Sequence, residues 1–159
     1  MRTLEAMGKL KLITRYRIAM SLFIFGLVVS GVTAFPLLLE LRLVHEFMGG
    51  EGWIGTVRHG LEDMYTRHPW IAYGTDWLAF GHLIIALFFI GPLIDPATSK
   101  GNLIVGIVAC IGVIPLALIC GPIRGIPMFW RLIDCSFGVI GILPLLYCLR
   151  LIPRIKAEA

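Results

Sequence analysis

The run TDWLAFGHLIIALFFIGPLID places His82 among eighteen residues, between Asp76 and Asp95, that are almost all apolar. An imidazole there can share a hydrogen bond, move a proton, or ligate a metal or haem iron. Groups that could work with it stand near other apolar runs: Glu40 and Arg42 after the first, Arg124 before the fourth, Arg131 and Asp134 at its start. Asp134 lies about one turn inside its run, and an ionised carboxylate in hydrocarbon is costly unless paired. Asp76 is six residues from His82, about 120° round a helix, so a partner for His82 is expected from another helix, with Thr75 and Leu78 facing inward above it. Arg131 and Asp134 are three apart and can pair on one helix face. Glu40, Asp76, His82, Arg124, Arg131 and Asp134 are therefore expected to form one polar cluster. Such a cluster either opens on a cavity that holds a ligand or simply locks helix ends together.

The elements that must position these residues follow from composition. Of 159 residues, 58% are hydrophobic and 15% charged, and the mean hydropathy is +0.88. Soluble domains carry about 25% charge. The apolar residues fall into four blocks of 18 to 22 residues, and about 20 helical residues cross a bilayer core of about 30 Å. The expected fold is an all-α integral membrane protein, a bundle of four spans at about 18–39, 76–95, 102–120 and 128–150, forming one membrane domain over 1–159. The first block is longer than a signal-peptide core and lacks a small-residue cleavage site after it, so it reads as a permanent span.

With the N-terminus in the cytoplasm, the inner side holds nine cations against three acids and the outer side five against seven; all four lysines fall inside. The positive-inside rule then places both termini in the cytoplasm, in the inner membrane. The basic balance reflects topology, and no nucleic-acid partner is expected. The outer connection, 40–75, is long enough to hold structure. Within it WIGTVRHGLEDMYTRH alternates apolar and charged residues at helical spacing, predicting a short amphipathic helix at the outer interface. Trp53, Trp70, Trp77 and Trp130 map to the same boundary as an aromatic belt. Ser99 or Asn102 can cap the third span, and Pro96 stops the second. Gly26, Ser30 and Ala34 on the first span, and Gly138 and Gly141 on the fourth, are candidate close-packing positions. Pro36, Pro92, Pro115 and Pro144 should bend helices or mark their ends.

Four chemistries compete for the polar groups. The first is an amphiphile, lipid or quinone-like, with its head group at His82 and the arginines. LAFGHLII resembles the Leu-x3-His-x2-Leu/Thr pattern of quinone sites at Leu78 and His82, departing from it at Ile85. The second is haem b between His82 and one of His45, His59 or His68; no CxxCH is present for covalent haem. The third, a metal site on those outer histidines, lacks ligand spacing. The fourth is catalysis on a lipid-like substrate with His82 or Asp134 as acid/base, for which no nucleophile is identified; Ser136 stands in no motif. Any of these suits an accessory subunit of a larger membrane complex. Cys120 and Cys135 could bridge at the outer ends of adjacent helices, while Cys110 and Cys148 read as small apolar residues.

Overall fold

Hydrocarbon offers no hydrogen bonds, so an apolar chain crossing it must satisfy each backbone N–H and C=O within the segment, which an α-helix does. A computed structural model of the protein, describing residues 2–48 and 52–157, shows this outcome. Residues 49–51 of the outer connection, Met1 and residues 158–159 lie outside the described residues, and with them Glu51 and Glu158 of the charge balance. The helices are α1 (Arg2–Ala34), α2 (Leu37–Met48), α3 (Trp53–Arg67), α4 (Pro69–Phe88), α5 (Ile90–Ile94), α6 (Lys100–Ile123) and α7 (Met128–Ala157). Among the described residues there is no strand. Four stretches are long and apolar enough to cross a membrane: Met7–Ala34, Pro69–Ile94, Lys100–Ile123 and Met128–Ala157. The all-α, four-span class expected from the sequence is thus the one observed. Leu22, Phe25, Phe88, Val105, Ile123 and Phe137 are each at least 65% exposed on these helices. Apolar exposure on that scale suits lipid rather than water.

Several span boundaries differ from expectation: the first stretch starts at Met7 rather than 18 and the fourth runs to Ala157 rather than 150. The first span ends at Ala34, not residue 39. Pro36 has no N–H to give the Val32 carbonyl, which instead accepts from Phe35 at 3.4 Å in a turn. Glu40 and Arg42 therefore do not end the first span but belong to a separate helix, α2. The second span begins at Pro69 rather than at 76, because PWIAYG continues as helix from a proline suited to a first turn. Asp76 consequently lies two turns inside α4 and not at its edge. Pro92 likewise cannot donate to the Phe88 carbonyl, and the helix breaks at Phe89 into α4 and the five-residue α5. Pro115 and Pro144 stay within unbroken helices.

The chain divides into two compact units, Met1–Phe25 with Leu87–Ala159, and Gly26–Ala86. In the first, α6 and α7 pack through glycines. A Cβ on Gly138 would stand 2.5 Å from the Cys110 carbonyl oxygen, and one on Gly141 3.0 Å from the Cys110 Sγ. A Cβ on Gly106 would meet the Phe89 ring at 2.7 Å and Leu145 at 3.0 Å. Buried Leu103, Leu145 and Cys148 fill the same interior, with Tyr16 and Met20 from α1. The Cys148 thiol donates to the Tyr16 carbonyl at 3.5 Å, so this cysteine is a packing residue as expected. All four cysteines are free. Cys135 is buried and directed to the Ile114 carbonyl at 3.9 Å, while Cys120 is exposed, so the bridge considered between them does not form.

The turn into α6 is held by Asp95 rather than by a capping serine. The Asp95 carboxylate accepts from the Ala97 N–H at 3.0 Å and the Thr98 hydroxyl at 2.9 Å. Ser99 occupies the cap position, yet its hydroxyl donates backwards to the Asp95 carbonyl and leaves the first turn of α6 without a side-chain cap.

The second unit contains the end of α1 with α2, α3 and α4 up to Ala86. Here the close approach is at Gly31, whose Cβ would meet Ala79 O at 2.9 Å, Leu83 Cδ2 at 3.0 Å and His82 Cβ at 3.1 Å. Gly26 faces open space and Ser30 is exposed. The small-residue face of α1 therefore centres one position away from the Gly26, Ser30, Ala34 series. On α4 the matching face is Ala72, Ala79 and Ala86, all buried, at seven-residue intervals. Exposed Tyr73 and Trp77 and the neighbouring Phe80 form a row of edge-to-face rings on α4.

Candidate functional site

Each candidate residue can be placed on its element. His82 is half-buried on α4, beside the Gly31 contact. Its Nδ1 lies 2.8 Å from the Leu78 carbonyl oxygen, one turn earlier on the same helix. The expected partner on another helix is thus replaced by a local one: a carbonyl four residues back is within reach of a histidine side chain leaning towards the helix N-terminus. Leu78 is 68% exposed and does not face inward, and the Thr75 hydroxyl donates to the Ala72 carbonyl at 2.6 Å. Asp76 and Glu40 are half-buried, the latter in the first turn of α2, where a carboxylate complements the helix dipole. Within this unit no hydrogen bond or ion pair joins Glu40, Asp76 and His82 among the described residues.

The remaining three lie in the other unit. Arg124 is exposed at the C-cap of α6, its backbone N–H shared between the Cys120 and Gly121 carbonyls at 3.1 Å each. The Arg131 stem crosses α6 at Gly121, where any Cβ would collide with it, and its Nε is buried without a partner. Asp134 is half-buried one turn later. The pair expected between Arg131 and Asp134 is not made, because Gly121 draws the arginine stem across α6. Ser136 directs its hydroxyl to the Ile133 carbonyl at 2.6 Å, within its own helix.

The ring of His82 has one chemical consequence. A carbonyl oxygen only accepts, so Nδ1 must carry the proton. In the neutral ring Nε2 then holds a lone pair, and no hydrogen bond to Nε2 is made among the described residues. That atom can accept a hydrogen bond from a hydroxyl or coordinate a metal.

The ion pairs found among the described residues lie outside the expected six. Glu62 on α3 receives Arg42 Nε from α2 at 3.0 Å and Arg58 Nη1 at 3.1 Å to each carboxylate oxygen. His59 approaches at 3.8 Å, and Arg67 pairs with Asp63 at 2.7 Å. The four-residue spacing of Arg58 and Glu62 is the signal that could have shown this in part; the Arg42 contact depends on the break at Pro36. The Arg42 hydrogen bond, with both guanidinium charges, holds the Glu62 carboxyl below the ordinary glutamate value of 4.5. A depressed folded value means that this tie supports α2 against α3 above about pH 4.5 and is lost as pH falls through the folded value. Followed by its carboxyl carbon NMR shift, Glu62 should titrate below 4.5 in the intact protein and move upward in Arg42→Ala; a midpoint at or above 4.5 would contradict the contact.

Among the described residues no three His, Cys, Asp or Glu side chains converge as a metal site. No protein-family model matches this chain, and neither a curated protein nor a solved structure matches it.

Proposed function

We propose that this membrane protein holds a hydroxyl-bearing amphiphile, lipid- or quinol-like, through the Nε2 of His82. The observation that carries the reading is the 2.8 Å contact from Nδ1 to the Leu78 carbonyl. It fixes the ring and leaves an acceptor available on a half-buried side chain within the Pro69–Ile94 span. An amphiphile suits this placement, since its head group needs one polar contact while its tail lies against apolar helix faces. Asp76 and Glu40 are the further head-group candidates in the same unit, and Arg124, Arg131 and Asp134 those of the other. In this reading both termini face the cytoplasm, supported by the excess of cations on their side of the chain. It also allows docking to partner subunits of a membrane complex through the exposed apolar helix faces.

Mass spectrometry of lipids and quinones that co-purify with the protein tests this. The side-chain amide of His82→Asn can still donate to the Leu78 carbonyl but has no acceptor at the Nε2 position. The co-purifying amphiphile should be lost in His82→Asn and partly kept in His82→Gln, whose amide oxygen reaches further. Equal retention in all three proteins would overturn the proposal. A Soret band in the intact protein that disappears in His82→Asn would instead assign Nε2 to haem b.

A further inference from the structure

At the end of the first unit that carries both termini, α1 and α7 line a shallow, widely open surface cavity, with the side chains of Lys11, Arg15 and Arg154 exposed. Its walls bear Lys11 and Arg15 from α1 and Arg154 from α7, with Leu12 between the two α1 cations. Lys11 and Arg15 are four residues apart on one helix face, an arrangement that repels when nothing neutralises it. Among the described residues none of the three makes an ion pair, and no carboxylate lines the cavity. Both helices hold stretches long and apolar enough to cross a membrane, Met7–Ala34 and Met128–Ala157, and the cavity lies at their charged ends. Charged ends of spans of this length stand at the level of lipid head groups.

We propose that this cavity is a binding site for the phosphate of an anionic phospholipid head group. Two guanidiniums and an ammonium from two helices match the phosphate oxygens, arginine as a bidentate donor and lysine as a point charge. Basic pockets between spans are suited to such head groups. Leu12 lies in the same wall, an apolar contact beside the cations.

Native mass spectrometry of the full chain, released from nanodiscs of mixed phosphatidylglycerol and phosphatidylcholine, tests the site. Phosphatidylglycerol should be retained in preference to phosphatidylcholine, and excess inorganic phosphate should not displace it. In the triple variant Lys11→Gln, Arg15→Gln, Arg154→Gln its retention should weaken on the order of 100-fold. Arg154→Gln alone, should the triple variant fold poorly, should show a weakening of about fivefold. Undiminished retention in Arg154→Gln overturns the proposal, as does absence of preference between the two lipids. Complete displacement by inorganic phosphate would overturn it too, assigning the cavity to a free anion.

Discussion

Gly138→Ala is expected to destabilise the protein by about 1–3 kcal/mol, a large effect for one methyl group. The added Cβ would stand 2.5 Å from the Cys110 carbonyl oxygen and 3.4 Å from the Val113 Cβ. A backbone carbonyl in the middle of α6 cannot rotate away, so the two helices must separate. In lipid there is no hydrophobic drive to restore the contact, because association rests on close packing itself. Gly112→Ala, on α6 where a Cβ meets nothing within 4 Å, is the matched control and should be near neutral. Unfolding in a denaturing detergent, monitored by tryptophan fluorescence, measures both. Equal stability of the two variants would mean that α6 and α7 do not meet at Gly138.

The second large effect concerns the lipid-facing side of α6. Ile111 is close to the middle of Lys100–Ile123 and 51% exposed. Ile111→Arg would put a guanidinium at the centre of the bilayer, at a cost of about 2.5–3.5 kcal/mol on insertion scales. Ile123→Arg, at the end of the same helix, can extend its charge to the interface and should insert normally. Glycosylation mapping of membrane insertion would read the difference as a loss of the α6 span in Ile111→Arg alone. Equal insertion of the two variants would contradict α6 as a span.

How much of this was visible in the residues depends on the range of the interaction. Four apolar runs of about 20 residues report the spans directly, because bilayer thickness sets a length that local composition can show. Boundaries were less visible. PWIAYG extends α4 by two turns with residues equally at home in an interface, and Pro36 cuts α1 from α2 inside an otherwise continuous apolar run. Packing register was partly visible. Gly138 and Gly141 were found where expected, but Gly31 was preferred to the Gly26 series because α4 decides which glycine is approached. The polar groups were the least legible. His82 bonds its own helix and Arg131 follows Gly121, choices set by which backbone lies nearby, while Glu62 gathers Arg58 from its own helix and Arg42 from α2, a contact that local spacing does not show.

The ring of His82 can be read directly by nitrogen-15 NMR of histidine-labelled protein in nanodiscs, its signals assigned by their absence in His82→Asn. The prediction is a protonated Nδ1 and a non-protonated Nε2 whose resonance moves when a membrane-soluble hydroquinone is added. A ring protonated at Nε2 instead would contradict both the contact with Leu78 and the acceptor on which the proposed function rests.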